Sequence, residues 1–340
     1  MKILFNRNNS IGIFCLLLLL AAVAGACVKD EYAEKEKATV TMTFTTRAES
    51  TPQYSSSLLD NEQMKTLRVI VARHDDETGE SGDILYNVKY NIEPQETSKT
   101  ITFSELTINK SGESFDFYAI ANEEGIITTL DFENLTSIDL KNWSLNCPVI
   151  AAIDTKSIPQ TAFKTILVKP TEDGSIQREN MQLEFVVAKV SLSFSNETGK
   201  AQILSDVKIA GAKPDKGFLF NDEDNDGTIY IPTDVNYSGI IWSRTKISTG
   251  TETDPEVYDY PPVYLFPGQN PLLNNGYILS ATLNESDSRE LEMSSITGLD
   301  RGQELKINIR LYKKAVDTHI DLIWEVVDWQ KSSNTVPSFN

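Results

Sequence analysis

Apolar and polar side chains alternate along most of this chain, and the clearest run comes early. From 38 to 46 the sequence reads A-T-V-T-M-T-F-T-T, so Val40, Met42 and Phe44 fall on one face and Thr39, Thr41, Thr43 and Thr45 on the other. Strict period two in β-forming residues predicts a half-buried strand. Arg47 ends it, and the polar stretch 48–60 reads as a loop. Short strands are predicted over 67–72, 84–90, 99–103, 114–121 and 165–168, with a short helix or long loop over 123–147. In the second half they are predicted over 183–194, 203–209, 217–220, 228–231, 263–266, 277–283, 304–312 and 320–329.

No apolar stretch holds a 3.6-residue period for three turns. Many short strands separated by turn residues predict an all-β fold of two tandem antiparallel β-sandwich domains with Greek-key-like connections. The polar, turn-rich segment 170–180 marks the boundary, which divides the body into an N-terminal sandwich over 48–175 and a C-terminal one over 176–340.

The first residues carry a different pattern. Lys2 and Arg7 precede an apolar run over 11–23, and Ala24, Gly25 and Ala26 stand before Cys27. A basic start, a short apolar run and small residues before a cleavage point predict a secretory signal over 1–26, with a retained anchor helix as the other reading. Small residues directly before a cysteine resemble a bacterial lipobox, which implies that Cys27 is acylated and begins the mature chain. Lys29, Asp30 and Glu31 resemble the surface-export signal of Bacteroidetes lipoproteins. Residues 27–47 then form a lipidated propeptide that holds the first strand.

Charge narrows the partners. The 340 residues hold 31 Lys+Arg against 49 Asp+Glu, a net charge of −18 that becomes −20 once 1–26 are removed. Phosphate backbones need basic density, so nucleic acid is excluded as a partner, and an anionic membrane would hold this chain only through lipid. Two histidines, His74 and His319, are too few for a multi-histidine metal centre, and three cysteines make no disulfide framework. With Cys15 in the signal and Cys27 acylated, Cys147 is the remaining thiol and reads as core packing rather than a nucleophile.

The pieces, taken in order, resemble the fimbrillin family of Bacteroidales, the shaft-type subunits of type V pili. They are the lipobox at Cys27, T-V-T-M-T-F before Arg47, M-K-T-L-R-V-I-V at 64–71, F-Y-A-I-A-N at 117–122 and V-V-A-K-V-S-L-S-F at 186–194. V-Y-L-F-P-G-Q-N at 263–270, L-D-R-G-Q-E-L-K-I-N-I at 299–309 and W-E-V-V-D-W at 324–329 complete the series. The resemblance implies a lipoprotein precursor, held at the outer membrane through lipid on Cys27 and displayed at the cell surface. An arginine-specific protease would cut between Arg47 and Ala48, free the first strand with Val40, Met42 and Phe44, and open a groove. The C-terminal segment of another copy or a related fimbrial subunit would fill it, with Ile320, Leu322, Trp324 and Val326 as donor residues.

On that reading the chain is a structural shaft subunit that supports adhesion and acts after processing in a fimbrium. An anchor or tip subunit, or a surface glycan-binding lipoprotein, are the alternatives. Residues 320–329 also read simply as the last strand of their own domain, and Arg47 as an exposed strand-end arginine. The last eleven residues are polar and include Pro337, which lacks a ladder donor, so either the donor is mainly 320–329 or Val336 and Phe339 form a second, weaker grip.

Other chemistry is sparse. Asp222, Asp224 and Asp226 before Gly227 resemble the start of a calcium loop, but Thr233 stands where the twelfth-position glutamate belongs. A solvated acidic hairpin is the better reading there, and no cofactor is expected. The sequence contains no G-x-S-x-G, H-E-x-x-H or phosphate-loop motif, and a non-enzymatic role is expected. Trp143 and Trp242 could stack on sugars or pack in a core.

Overall fold

In the computed structural model, which describes residues 35–46, 58–94, 96–124, 132, 135, 144–146, 157–170, 176–220, 235–242, 245–247, 250–270, 273, 276–294, 296–314 and 317–328, the elements are β-strands and one 3-10 turn at Asp60–Glu62. Strands are numbered in chain order. A three-stranded sheet has the order β4–β1–β8, with β1 (Glu36–Thr45) between β4 (Ser98–Ile108) and β8 (Gln177–Gln182). Facing it is a five-stranded sheet of β2 (Thr66–His74), β3 (Ser81–Asn91), β5 (Glu113–Ala121), β7 (Gln160–Val168) and β9 (Glu184–Phe185), in the order β3–β2–β5–β7–β9. Their inner faces share one core that includes Val40, Met42, Phe44, Phe103, Phe115, Phe117 and Met181.

A second sandwich follows. One sheet has β10 (Ala188–Thr198), β15 (Thr251–Asp259), β21 (Gln303–Lys314) and β22 (Asp317–Asp328) in the order β15–β10–β21–β22, with β16 (Val263–Leu265) also on β10. The other contains β11 (Gln202–Pro214), β13 (Tyr237–Trp242), β18 (Tyr277–Leu283) and β19 (Asp287–Met293) in the order β13–β11–β18–β19, with β14 (Thr245–Ile247) on β11. Short two-stranded pairs join β6 (Ser144–Asn146) to β12 (Lys216–Phe218) and β17 (Gly268–Gln269) to β20 (Gly298–Leu299). The fold is all-β, as the alternation predicts. Most neighbours are antiparallel, but β1 runs parallel to β8 and β10 parallel to β21.

The division between the sandwiches falls later than the polar segment 170–180 suggests. β8 pairs with β1 and β9 pairs with β7, so residues 177–185 belong to the first sandwich. The predicted single strand over 183–194 is broken for the same reason: the chain leaves β7 at Phe185 and joins the other sandwich at Ala188. Turn-rich composition marked a loop there, but it could not mark which side of the loop the next strand pairs with.

A third apolar cluster joins the two halves. Ile70, Ala72, Tyr118 and Ile120 meet Phe185, Val186, Val187, Leu219, Phe220, Tyr264 and Phe266. β2 and β5 are thereby buried on both faces: Leu67, Val69 and Val71 face the first core while Ile70 and Ala72 face the joint. Two-sided burial is why 67–72 reads as an apolar run rather than an alternation. At the joint Glu62 is 1% exposed, accepts a hydrogen bond from the Tyr264 hydroxyl at 2.6 Å and pairs with Lys189 Nζ at 2.9 Å. Burial first, and the Glu62 charge second, push the Tyr264 hydroxyl well above the ordinary tyrosine range, so it stays a donor. Tyr264→Phe is expected to cost about 1–3 kcal/mol in urea unfolding, because it leaves a buried carboxylate short of a donor. An unchanged midpoint would show that the joint does not depend on this bond.

Candidate assembly groove

β1 is the centre of the smaller sheet and is hydrogen-bonded along both edges. It pairs antiparallel with β4 from Glu36↔Ile108 to Thr45↔Ser98, and parallel with β8 from Val40↔Gln177 to Thr45↔Gln182. A bulge interrupts the first ladder between Ala38 and Val40, where Glu105 on β4 takes the left-handed conformation at φ 65°. On the inner face Val40, Met42 and Phe44 are all 0% exposed. On the outer face the hydroxyls of Thr41 and Thr102 lie 3.0 Å apart and those of Thr43 and Thr100 3.1 Å apart. Arg178, Asn180 and Gln182 of β8 flank the same face and are exposed.

The strand stays tied down to its end. Thr46 is 3% exposed and its N–H donates to the Thr97 carbonyl at 3.0 Å, while the Leu183 N–H donates to the Thr45 carbonyl at 2.7 Å. Arg47 is the next residue in the sequence. Arg47 and Ala48 lie outside the described residues, as do Cys27 and the acidic Asp222, Asp224 and Asp226. On the β8 edge, the Lys164 ammonium 2.8 Å from Glu179 holds that carboxyl below the usual carboxylate range.

Removing β1 would therefore do two things at once. It would leave β4 and β8 with facing rows of unpaired backbone groups, and it would uncover Phe103, Phe117 and Met181. Burying Val40, Met42 and Phe44 is worth roughly 5–9 kcal/mol before ordering costs. An empty slot of this kind has the geometry that β-strand addition fills.

The predicted donor residues sit in the other sandwich. β22 pairs antiparallel with β21 without a register shift, Ile307↔Trp324 and Leu305↔Val326 among the partners, and ends its sheet. Ile320, Leu322 and Trp324 are half-buried against the second core, and Val326 is 38% exposed. Ile323 on the outer face is 39% exposed. This is an edge strand of its own domain, and it covers the core less completely than β1 does. Trp242 is 5% exposed in that same core, so its ring is not presented for sugar stacking. Trp143 and Cys147 lie outside the described residues.

A second polar cluster brings together a serine, a histidine and an aspartate. Asp116, fully buried, accepts Ser81 Oγ at 2.5 Å and Thr165 Oγ1 at 2.6 Å, and lies 3.0 Å from His74 Nδ1. Here the serine bonds the carboxylate and not the imidazole, an order that satisfies a buried charge rather than one that activates a serine. Sequence reasoning located β1 but missed its surroundings. The burial of Thr46 and the exposed Arg178 beside Thr41 depend on β8, and nothing in the local period of 177–182 names β1 as its neighbour.

No protein-family model matches the chain, and no curated protein matches its sequence. Solved structures do share its fold. A candidate cell adhesion protein from Bacteroides eggerthii is 14% identical with a TM-score of 0.52, over 86% of this chain and 96% of that one. The tip fimbrial protein Mfa3 from Porphyromonas gingivalis, with a C-terminal truncation, is 13% identical with a TM-score of 0.52, over 86% and 100%. A candidate cell adhesion protein from Parabacteroides distasonis is 15% identical with a TM-score of 0.51, over 86% and 97%. This chain has the fold found in these fimbrial and cell-adhesion structures of Bacteroidales.

Proposed function

We propose that this chain, with the fold of Bacteroidales fimbrial and adhesion proteins, is a fimbrial subunit that polymerises by protease-triggered strand exchange and supports adhesion. The observation that carries the reading is the position of β1: a central strand, buried to Thr46, followed immediately by Arg47. In this reading the precursor is exported as a lipoprotein, acylated at Cys27 and held on the outer membrane facing outward. An arginine-specific protease cuts between Arg47 and Ala48. The cut leaves β1 attached only by non-covalent contacts, so it can be replaced, and the C-terminal strand of a neighbouring subunit takes its slot. No cofactor and no catalytic residue is involved.

The test is limited Arg-specific proteolysis of the chain from residue 28, followed by unheated gel electrophoresis and mass spectrometry. A single cut at Arg47 and a ladder of detergent-resistant oligomers are expected, because a fully buried inserted strand leaves slowly. Arg47→Ala should abolish both. A ladder formed equally well by the uncut variant would sink the proposal.

A tip position is the second reading, since one of the solved structures is a tip fimbrial protein. A tip exchanges a strand at one end only and would appear once per filament by immunogold labelling. A cut chain that remains monomeric alone, but captures another fimbrial subunit, would favour the tip.

A further inference from the structure

Resting on the strand-exchange reading above, we propose that β22 of a second copy fills the slot in one specific register. Ile320, Leu322, Trp324 and Val326 take the places of Val40, Met42, Phe44 and Thr46, and Asp321 comes to lie across from Arg178.

Side-chain size selects this register. Going along β1, the inward positions are Ala38, Val40, Met42, Phe44 and Thr46, each no more than 3% exposed. They run small, β-branched, long and flexible, aromatic, β-branched. Along β22 the residues Thr318, Ile320, Leu322, Trp324 and Val326 follow that order in size, rising to the aromatic at the same position, with Thr318 larger than Ala38 and Trp324 larger than Phe44. A core at native density tolerates swaps that conserve volume and resists both holes and overpacking. Shifting the guest by two residues puts Ile320 in the place of Ala38, Trp324 in that of Met42 and Val326 in that of Phe44. That arrangement overfills two sites and leaves a cavity at the third.

Burial supplies the direction of the exchange. At home Ile320, Leu322 and Trp324 are half-buried and Val326 is 38% exposed; in the slot each would occupy a site that β1 buries to 3% or less. A guest running the same way as β1 keeps the antiparallel ladder to β4, including the room made by its bulge at Glu105, and the parallel ladder to β8.

Charge supplies an independent reason. Arg178 is exposed, makes no ion pair among the described residues, and is the register partner of Thr41. The residue that replaces Thr41 in the proposed register is Asp321. In its own sheet Asp321 faces Arg310, but that guanidinium is already engaged by Glu197 through two bonds of 2.7 Å. Moving Asp321 beside Arg178 gives each group an opposite charge that no other residue shares. The shifted register would instead set Ile323 against Arg178. Arg178 thus acts as a recognition residue for the incoming strand.

The closing experiment is site-directed cross-linking between two copies in a Cys147→Ser background, each with residue 28 as its first and cut at Arg47. One copy carries Thr100→Cys or Thr102→Cys, and the other carries Ile323→Cys. All three positions are exposed, so the variants should fold. Thr100 is the register partner of Thr43, the place Ile323 would take, and facing residues on paired strands lie within disulfide reach. The expected result is an oxidised dimer with the Thr100→Cys copy and none with the Thr102→Cys copy. A dimer with the Thr102→Cys copy would overturn the register in favour of the shifted one. Detergent-resistant oligomers with neither cross-link would overturn the register and leave strand exchange standing, whereas no oligomers at all would remove both. In a second arm, Arg178→Glu should slow assembly about two- to fivefold, as expected for a pair with one exposed partner, and Asp321→Lys in the donor should restore it. An unaltered rate in Arg178→Glu would remove Arg178 from recognition.

Discussion

Phe44→Ala is expected to lower the stability of the uncut chain by about 3–5 kcal/mol and to leave the resistance of assembled oligomers unchanged. Phe44 is 0% exposed at the bottom of the first core, so truncating it removes a large buried surface and leaves a cavity that the flanking strands β4 and β8 cannot close. Urea unfolding of the precursor should report the full loss as a lower midpoint with little change in slope. On the strand-exchange proposal the mutated strand is the one discarded after cleavage, so filaments built from this variant should melt with those of the wild type. Trp324→Ala should behave in the opposite way. It trims a half-buried edge residue in the monomer, at modest cost, but should weaken the detergent-resistant ladder. If Phe44→Ala weakened oligomers as much as precursor, β1 would still be in place after assembly, and strand exchange through this slot would be wrong.

Glu123→Gln is expected to cost about 3–5 kcal/mol, the usual effect of breaking one side of a buried pair. Arg68 is 2% exposed in the middle of β2, and its guanidinium meets the Glu123 carboxylate through Nε at 2.6 Å and through a second nitrogen at 3.0 Å. Asn87 Oδ1 accepts a third bond at 2.7 Å, and Phe132 lies under the guanidinium with its ring centre 5.5 Å away. Neutralising Glu123 leaves the guanidinium buried beside an amide. Replacing both partners by apolar residues of similar shape, as in Arg68→Met with Glu123→Leu, should recover much of the loss, since the desolvation of both charges is relieved together.

The same pair sets a pH dependence. Burial alone would raise the Glu123 carboxyl, but hydrogen bonds from Arg68 and from Lys89, 3.1 Å away, outweigh it and hold the group below the usual carboxylate range. A carboxyl whose folded pKa is depressed contributes stability above its unfolded value, about 4.3, and loses it as pH falls through the folded value. Wild type should therefore lose stability below about pH 4.3 more steeply than Glu123→Gln does. Parallel slopes for the two, followed by urea midpoints at successive pH values, would show that Glu123 is not linked to the transition.

Arg68 shows how far a sequence alone reaches. L-R-V-I-V-A announces a strand, yet nothing in it says that the arginine is buried or that the strand is covered on both faces. Both follow from the joint between the sandwiches, which gathers residues from 70 to 266. β8 is similar: R-E-N-M-Q is polar enough to pass for a linker, and it becomes a strand because β1 offers it an edge.

The sequence by itself determined the all-β class, the inward faces of β1 and β22, and the arginine that follows the first strand. Each of these is written in neighbouring residues, through a side-chain period of two or a single position along the chain. Only the tertiary structure decided that β1 lies between β4 and β8, that burial continues to Thr46, that the exposed Arg178 stands beside it, and that β22 is a thinly buried edge. Strand pairing joins residues far apart in the chain. The same alternating pattern fits many partners, and the choice among them is made by how the side chains of two sheets fill one core.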